Sequence, residues 1–151
     1  MWLKAWGKCK HSWLGRQAFR VLIHWFVPYT GSIWPEVLEL EPGYAKVQMR
    51  DRRRVRNHLH SVHAAALMNF AEITSGIAFL SGLPKDARGI VSSFRIDYLK
   101  KARGLLTAES RPNCPQSAEV GEYKAPVEIK NQAGEVVARA EATWHVGPVS
   151  K

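Results

Sequence analysis

Cysteine is scarce in this chain of 151 residues. Cys9 and Cys114 are the only two, far apart and in no C-x-x-C pair. That excludes the spacing of a zinc finger and the framework of a disulfide-stapled domain, and leaves two reduced thiols as the expectation. Acidic side chains are also few. Thirteen Asp and Glu stand against 22 Lys and Arg, a formal net charge of +9. Such an excess suits an anionic partner, or serves only solubility. Long apolar runs are missing as well. Val21 to Trp34 contains Pro28 and Gly31 and is too short to span a bilayer. The opening MWLKAWGKCK scatters lysines through what a targeting segment needs apolar. A cytoplasmic protein without stable membrane insertion is therefore expected. No repeat or low-complexity tract appears.

What remains reads as one globular domain, 46% apolar and 23% charged. From Trp13 to Phe26, apolar residues recur at helical spacing: Leu14, Ala18, Val21, Leu22, Trp25 and Phe26. An N-terminal helical segment over 1–30 is expected to pack on the domain's own core, with a lid or membrane-surface anchor as the alternative. Ile33–Leu40 and Tyr44–Met49 flank Pro42-Gly43, which predicts a hairpin. His63–Leu80 is apolar nearly all round and predicts a buried helix with Ser61 as its N-cap. Four more strand-like runs follow: 89–99, 104–110, 118–130 and 135–146, the last two joined by Asn131-Gln132-Ala133-Gly134. A fully apolar helix must be covered on most sides. Six antiparallel strands wrapped around it supply that cover, so an α+β domain over 31–151 is the expectation. An unpaired edge of such a sheet favours pairing with a second copy, a homodimer, with association into tetramers left open.

Polar residues concentrate at the mouth of the buried helix, in Asn57-His58-Leu59-His60-Ser61-Val62-His63. Glu72 then stands alone in the apolar helix. A buried carboxylate without a partner has a raised pKa, which suits general-base work near neutral pH. Partial exposure or pairing with an arginine is the structural alternative. His58, His60 and His63 invite a metal reading, but no Cys or placed acid completes the set and no metal is expected. Nucleic-acid binding is not expected either, because aromatic residues do not interleave the basic runs.

These residues resemble the hot-dog-fold thioesterases of the phenylacetic-acid-degradation type, and more narrowly the bacterial DUF4442 group. In that pattern an Asn precedes a His-Gly pair by six residues and an acid follows the His by nine. Asn57, His63 and Glu72 keep both intervals; Ala64 replaces the Gly and Glu72 the Asp. The strand around Val91–Tyr98 and the basic turn Leu99–Arg103 also look like the family's. The resemblance implies a hot-dog fold and an acyl thioester, such as acyl-coenzyme A, as ligand. Coenzyme A would arrive as part of the substrate, with no separate cofactor. It implies that the Ala64 N–H stabilises the thioester oxyanion and that Glu72 activates water or attacks. Asn57 would position the water or carbonyl, His63 would orient its neighbours, and Ser92 or Ser93 would hydrogen-bond Glu72. Lys100, Lys101 and Arg103 are the candidates for the coenzyme's phosphates. Residues 64 and 72 lie about 12 Å apart along one helix, too far for both to touch one small reacting group. Two antiparallel helices of a dimer could bring Ala64 of one chain to Glu72 of the other, and the site would then be shared. A hot-dog protein that binds acyl-CoA or a fatty-acyl group without turnover is the other reading.

Overall fold

Three short helical elements lead the chain, because aromatic and aliphatic residues there recur with helical period. A computed structural model describes residues 2–149. Helix α1 spans Trp2–Cys9, α2 Trp13–Phe26 and α3 Pro28–Gly31. Ser12 caps α2 by accepting the Gly15 N–H at 3.0 Å. Pro28 was expected only to stop the helix. It instead begins the short α3, since proline is tolerated at a first helical position. Helix α1 lies within the helical segment expected over 1–30, but its separation from α2 was not anticipated.

The hairpin forms as expected, with β1 at Glu36–Glu41 and β2 at Tyr44–Arg50. Its turn passes through Gly43 at φ 74°, a conformation glycine adopts without the Cβ clash other residues meet. A 3-10 turn at Arg53–Val55 and an extended loop then deliver the chain to α4, Ala64–Gly82. Four strands follow: β3 Ala87–Tyr98, β4 Leu105–Ser110, β5 Gly121–Lys130 and β6 Val136–Pro148. They join the hairpin in one six-stranded antiparallel sheet of order β1-β2-β4-β5-β6-β3.

The inward face of that sheet closes on α4. Phe70, Ala71, Ala78 and Phe79 lose all solvent contact, as do Val47, Leu106, Ile129 and Val137 from the strands. Each large side chain so buried contributes about 1.5–3 kcal/mol before entropy is counted. Trp6, Phe19 and Ile23 belong to the same core cluster, so α1 and α2 help to cover it. A sheet of six antiparallel strands wrapped on one central helix, with extra N-terminal helices, is a hot-dog fold.

Two expectations need correcting. The N-cap of α4 is His63, whose Nδ1 accepts the Ala65 N–H at 3.0 Å; Ser61 lies outside the helix. The stripe Leu14, Val21, Trp25 and Phe26 of α2 does not pack on the core. It is exposed, and the helix buries Phe19 and Ile23 instead.

Candidate active site

The loop before α4 is built around one side chain. Asn57 Oδ1 accepts from Leu59 N, Ser61 N and Ser61 Oγ at 3.0–3.2 Å. The loop turns through His60 in the left-handed region, φ 53°, which costs a non-glycine residue about 1–2 kcal/mol. Arg103 offsets that strain by donating to the carbonyls of Leu59 and His60, both at 3.1 Å. Val62 N bonds Ala102 O and His63 N bonds Val55 O, which fixes the direction in which α4 begins.

Ala64 is the first residue of the helix, so its N–H has no intrahelical acceptor. It lies at the positive end of the helix dipole and borders a cleft of about 330 Å³. Asn57 and Leu59 form one rim of this cleft, Tyr98 to Lys101 the other, and Val62, Leu67 and Ala102 also line it. Tyr98 Oη donates to the Ala64 carbonyl at 3.1 Å and ties the end of β3 to the helix start. A second cleft of about 460 Å³ opens on the other side of His63, between Tyr29, Arg54 and Asn69. Asn69 is buried and joins α3 to α4: it donates to Tyr29 O and accepts from Thr30 Oγ1, both at 3.2 Å.

Glu72 lies two turns further along. It is half-buried, and among the described residues no cation lies within ion-pair reach. Burial alone pushes its carboxyl above the ordinary carboxylate range. Both Glu72 and the Trp144 ring flank Gly76: a Cβ on that glycine would meet Glu72 Oε1 at 4.0 Å and the indole at 3.6 Å. Trp144 Nε1 is itself buried without a hydrogen-bond partner.

The predicted residues therefore fall into two groups. Asn57, His63, Ala64, Lys100 and Lys101 gather at the start of α4. Glu72 stands apart along the helix, and Ala64, Ala65 and Met68 form an exposed ridge between the two. The contacts alter the assignments of Ser92, Lys100 and Arg103. Ser92 sits at a bulge in β3 and donates to Thr143 O, not to Glu72. Lys100 is paired with Glu135, and Arg103 is held by the loop carbonyls, so Lys101 is the unpaired cation of the three among the described residues. His58, His60 and His63 do not converge: among the described residues no three His, Cys, Asp or Glu side chains are placed to share an ion. The sequence offered no signal for Tyr98 or Trp144, which reach the site from strands. Asn69 was legible in principle, as an amide in an apolar helix.

The fold and these positions define a hot-dog domain with a cleft at the start of its central helix. The chain belongs to the family described as a domain of unknown function, DUF4442, whose model matches residues 15–146. It is similar to a structural-genomics target of solved structure, 31% identical over 98% of both chains, with a TM-score of 0.86. It shares its fold with a Haemophilus influenzae thioesterase (13% identity, 90% of this chain and 92% of that one, TM-score 0.76). It shares it also with a Streptococcus mutans protein bound to acetyl-CoA (20% identity, 76% and 90%, TM-score 0.65). No curated protein sequence matches the chain.

Proposed function

We propose that the protein is an acyl-CoA thioesterase whose site is shared between two chains of a homodimer. The observation that carries the reading is Glu72, a half-buried carboxylate whose pKa is raised by burial and which has no ion-pair partner among the described residues, on the helix that begins at the cleft. The Ala64 N–H would take the developing oxyanion, aided by the helix dipole. Glu72 of the partner subunit would accept a proton from the attacking water, which adds to the thioester carbon; collapse breaks the C–S bond, and the departing thiolate takes the proton back from Glu72 and leaves as the free thiol. Asn57 shapes the loop that presents Ala64. His63 keeps the helix start in register by accepting a hydrogen bond from the Ala65 N–H at Nδ1, which leaves Nε2 to carry the ring hydrogen. Lys101 faces the phosphates of the coenzyme. The acetyl-CoA held by the Streptococcus mutans structure makes such a ligand reasonable for this fold.

The dimer follows from the edge of the sheet. Strand β3 has twelve residues and a single neighbour, β6, and it exposes Ile90 beside its free edge. A long, unprotected edge with apolar character pairs readily with a copy of itself. Antiparallel pairing of β3 with the partner's β3 would have to bring Ala64 of one chain to Glu72 of the other to complete the site; the exposed Met68 between them on α4 is a surface such a partner could cover.

The test is thiol release from acyl-CoA substrates of graded chain length, run beside sedimentation of the same sample. Turnover by a dimer, lost in Glu72→Ala with acyl-CoA binding retained, is expected. Full turnover by Glu72→Ala sinks the catalytic assignment. Full turnover by a monomer sinks the shared site. Binding of acyl-CoA with no thiol release by the unsubstituted protein favours a carrier of acyl-CoA or fatty-acyl groups.

A further inference from the structure

We propose that the outward face of α2 docks on an anionic membrane surface and holds the mouth of the Tyr29 cleft against it. Helix α2 carries apolar residues on two opposite faces. Its core side holds Phe19 and Ile23, yet its solvent side holds Leu14 at 73% exposure, Val21 at 42% and Trp25 at 77%. These residues stand at i, i+7 and i+11, one stripe of a helix about 21 Å long. Trp13, at 63% exposure, begins the patch; Phe26 and Tyr29, at 59% and 73%, carry it to the cleft between Tyr29 and Asn69. A contiguous apolar patch of this kind on a water-soluble surface marks an interaction site.

Charge identifies the occupant. The first 35 residues contain five Lys and Arg and no acid at all; the first carboxylate is Glu36. Arg16 and Arg20 are turned toward Glu36. Lys4, Lys8 and Lys10 remain exposed, and Lys10 and His11 stand just before the cap Ser12 and the Trp13-Leu14 pair that opens the patch. At the far end, exposed Arg54 borders the same cleft as Tyr29. An apolar stripe rich in Trp and aliphatics with cations beside it and no carboxylates is the composition of a helix that lies flat in the lipid interface. Such a helix sinks about 5–10 Å into the headgroup boundary. Trp25 and Tyr29 suit that boundary, being apolar in body and polar at one tip. A second copy docked on the same face would set lysines against lysines with no acid between them.

The experiment is flotation of the full chain with vesicles of phosphatidylcholine alone, or of equal parts phosphatidylcholine and phosphatidylglycerol. Protein is expected to float with the anionic vesicles, to be released by salt, and to float poorly with the neutral ones. The double variant Val21→Ser/Trp25→Ser should partition about ten-fold or more less, from the lost apolar contact. Both positions are exposed, so the fold should survive, as a circular dichroism melt will verify. Failure of the unsubstituted protein to float, or equal flotation of a folded double variant, overturns the proposal. So does a double variant whose only change is a smaller oligomer, which would make the patch an interface between copies. The readout needs no turnover, so it stands or falls separately from the thioesterase reading.

Discussion

From Ala64 to Glu72, helix α4 leaves Ala64, Ala65 and Met68 in solvent; from Ile73 to Phe79 every residue is buried. The first half borders a cleft and carries Glu72, which has no ion-pair partner among the described residues. The second half is packed from all sides: Phe79 stacks on Trp144 with ring centroids 5.2 Å apart, and Gly76 lies against the same indole. Even its hydroxyls are turned inward. Thr74 Oγ1 bonds Phe70 O and Ser75 Oγ bonds Glu72 O, so neither is free for chemistry. One helix thus has a half that holds the sheet and a half that borders a cleft. The half at the cleft can be exposed because the other half anchors it.

Substitutions on the two halves should then differ in kind. The largest expected effect is on stability, in the buried half. Phe79→Ala removes a fully buried ring and should cost about 3–5 kcal/mol, measured by urea unfolding. If that loss leaves the folded fraction's turnover per molecule unchanged, the division between the halves holds. In the exposed half, Glu72→Ala should lower thiol release about 100-fold or more, with binding retained. Its stability should hardly fall, and this contrast with Phe79→Ala is the point of the comparison.

A subtler effect concerns Glu72 and pH. Its folded pKa lies above its unfolded value because burial disfavours the charged form. Stability linked to this group is therefore fully present below the unfolded pKa of about 4.3, and is lost as pH rises through the higher folded value. Glu72→Gln keeps the shape without the charge. It should unfold at higher denaturant than the natural chain at neutral pH, with the gap closing toward acid. A gap independent of pH would mean that Glu72 is not held in a desolvated site. The active chain would thus give up some stability to keep a charge in its site.

Much of this division was visible before any coordinates. Unbroken apolar character marked α4 as the central helix, and Glu72 stood out because it violated that character. Alternation and the Pro42-Gly43 turn placed the hairpin, and the polar run that begins at Asn57 marked the loop that borders the cleft, while Glu72 lines neither cleft. The errors have physical causes. Ser61 was the expected cap because its residue type favours that position, but Asn57 Oδ1 takes its hydroxyl and leaves the cap to His63. Periodicity identified α2 as a helix, but periodicity cannot say whether an apolar stripe faces a core. Here it faces away, since Phe19 and Ile23 reach inward from the other side. Tyr98 and Trp144 were hidden because β3 and β6 bring them to α4 only once the sheet has formed.

The smallest expected effects separate the three cations of the Leu99–Arg103 turn, which the sequence presented as equivalent. Lys101 is exposed, lines the cleft and has no acidic partner among the described residues; Lys100 spends its charge on Glu135; Arg103 is bonded to the Asn57 loop. Lys101→Ala should raise the KM for acyl-CoA about two- to five-fold and leave kcat alone, because an exposed charge acts weakly and only on binding. Added salt should erase that difference. Lys100→Ala should do less. Arg103→Ala should instead lower kcat and the melting temperature together, since it frees the strained carbonyl of His60 and loosens the start of α4. If all three variants shift KM alike, the turn is a diffuse basic patch and the distinction drawn from their hydrogen bonds is wrong.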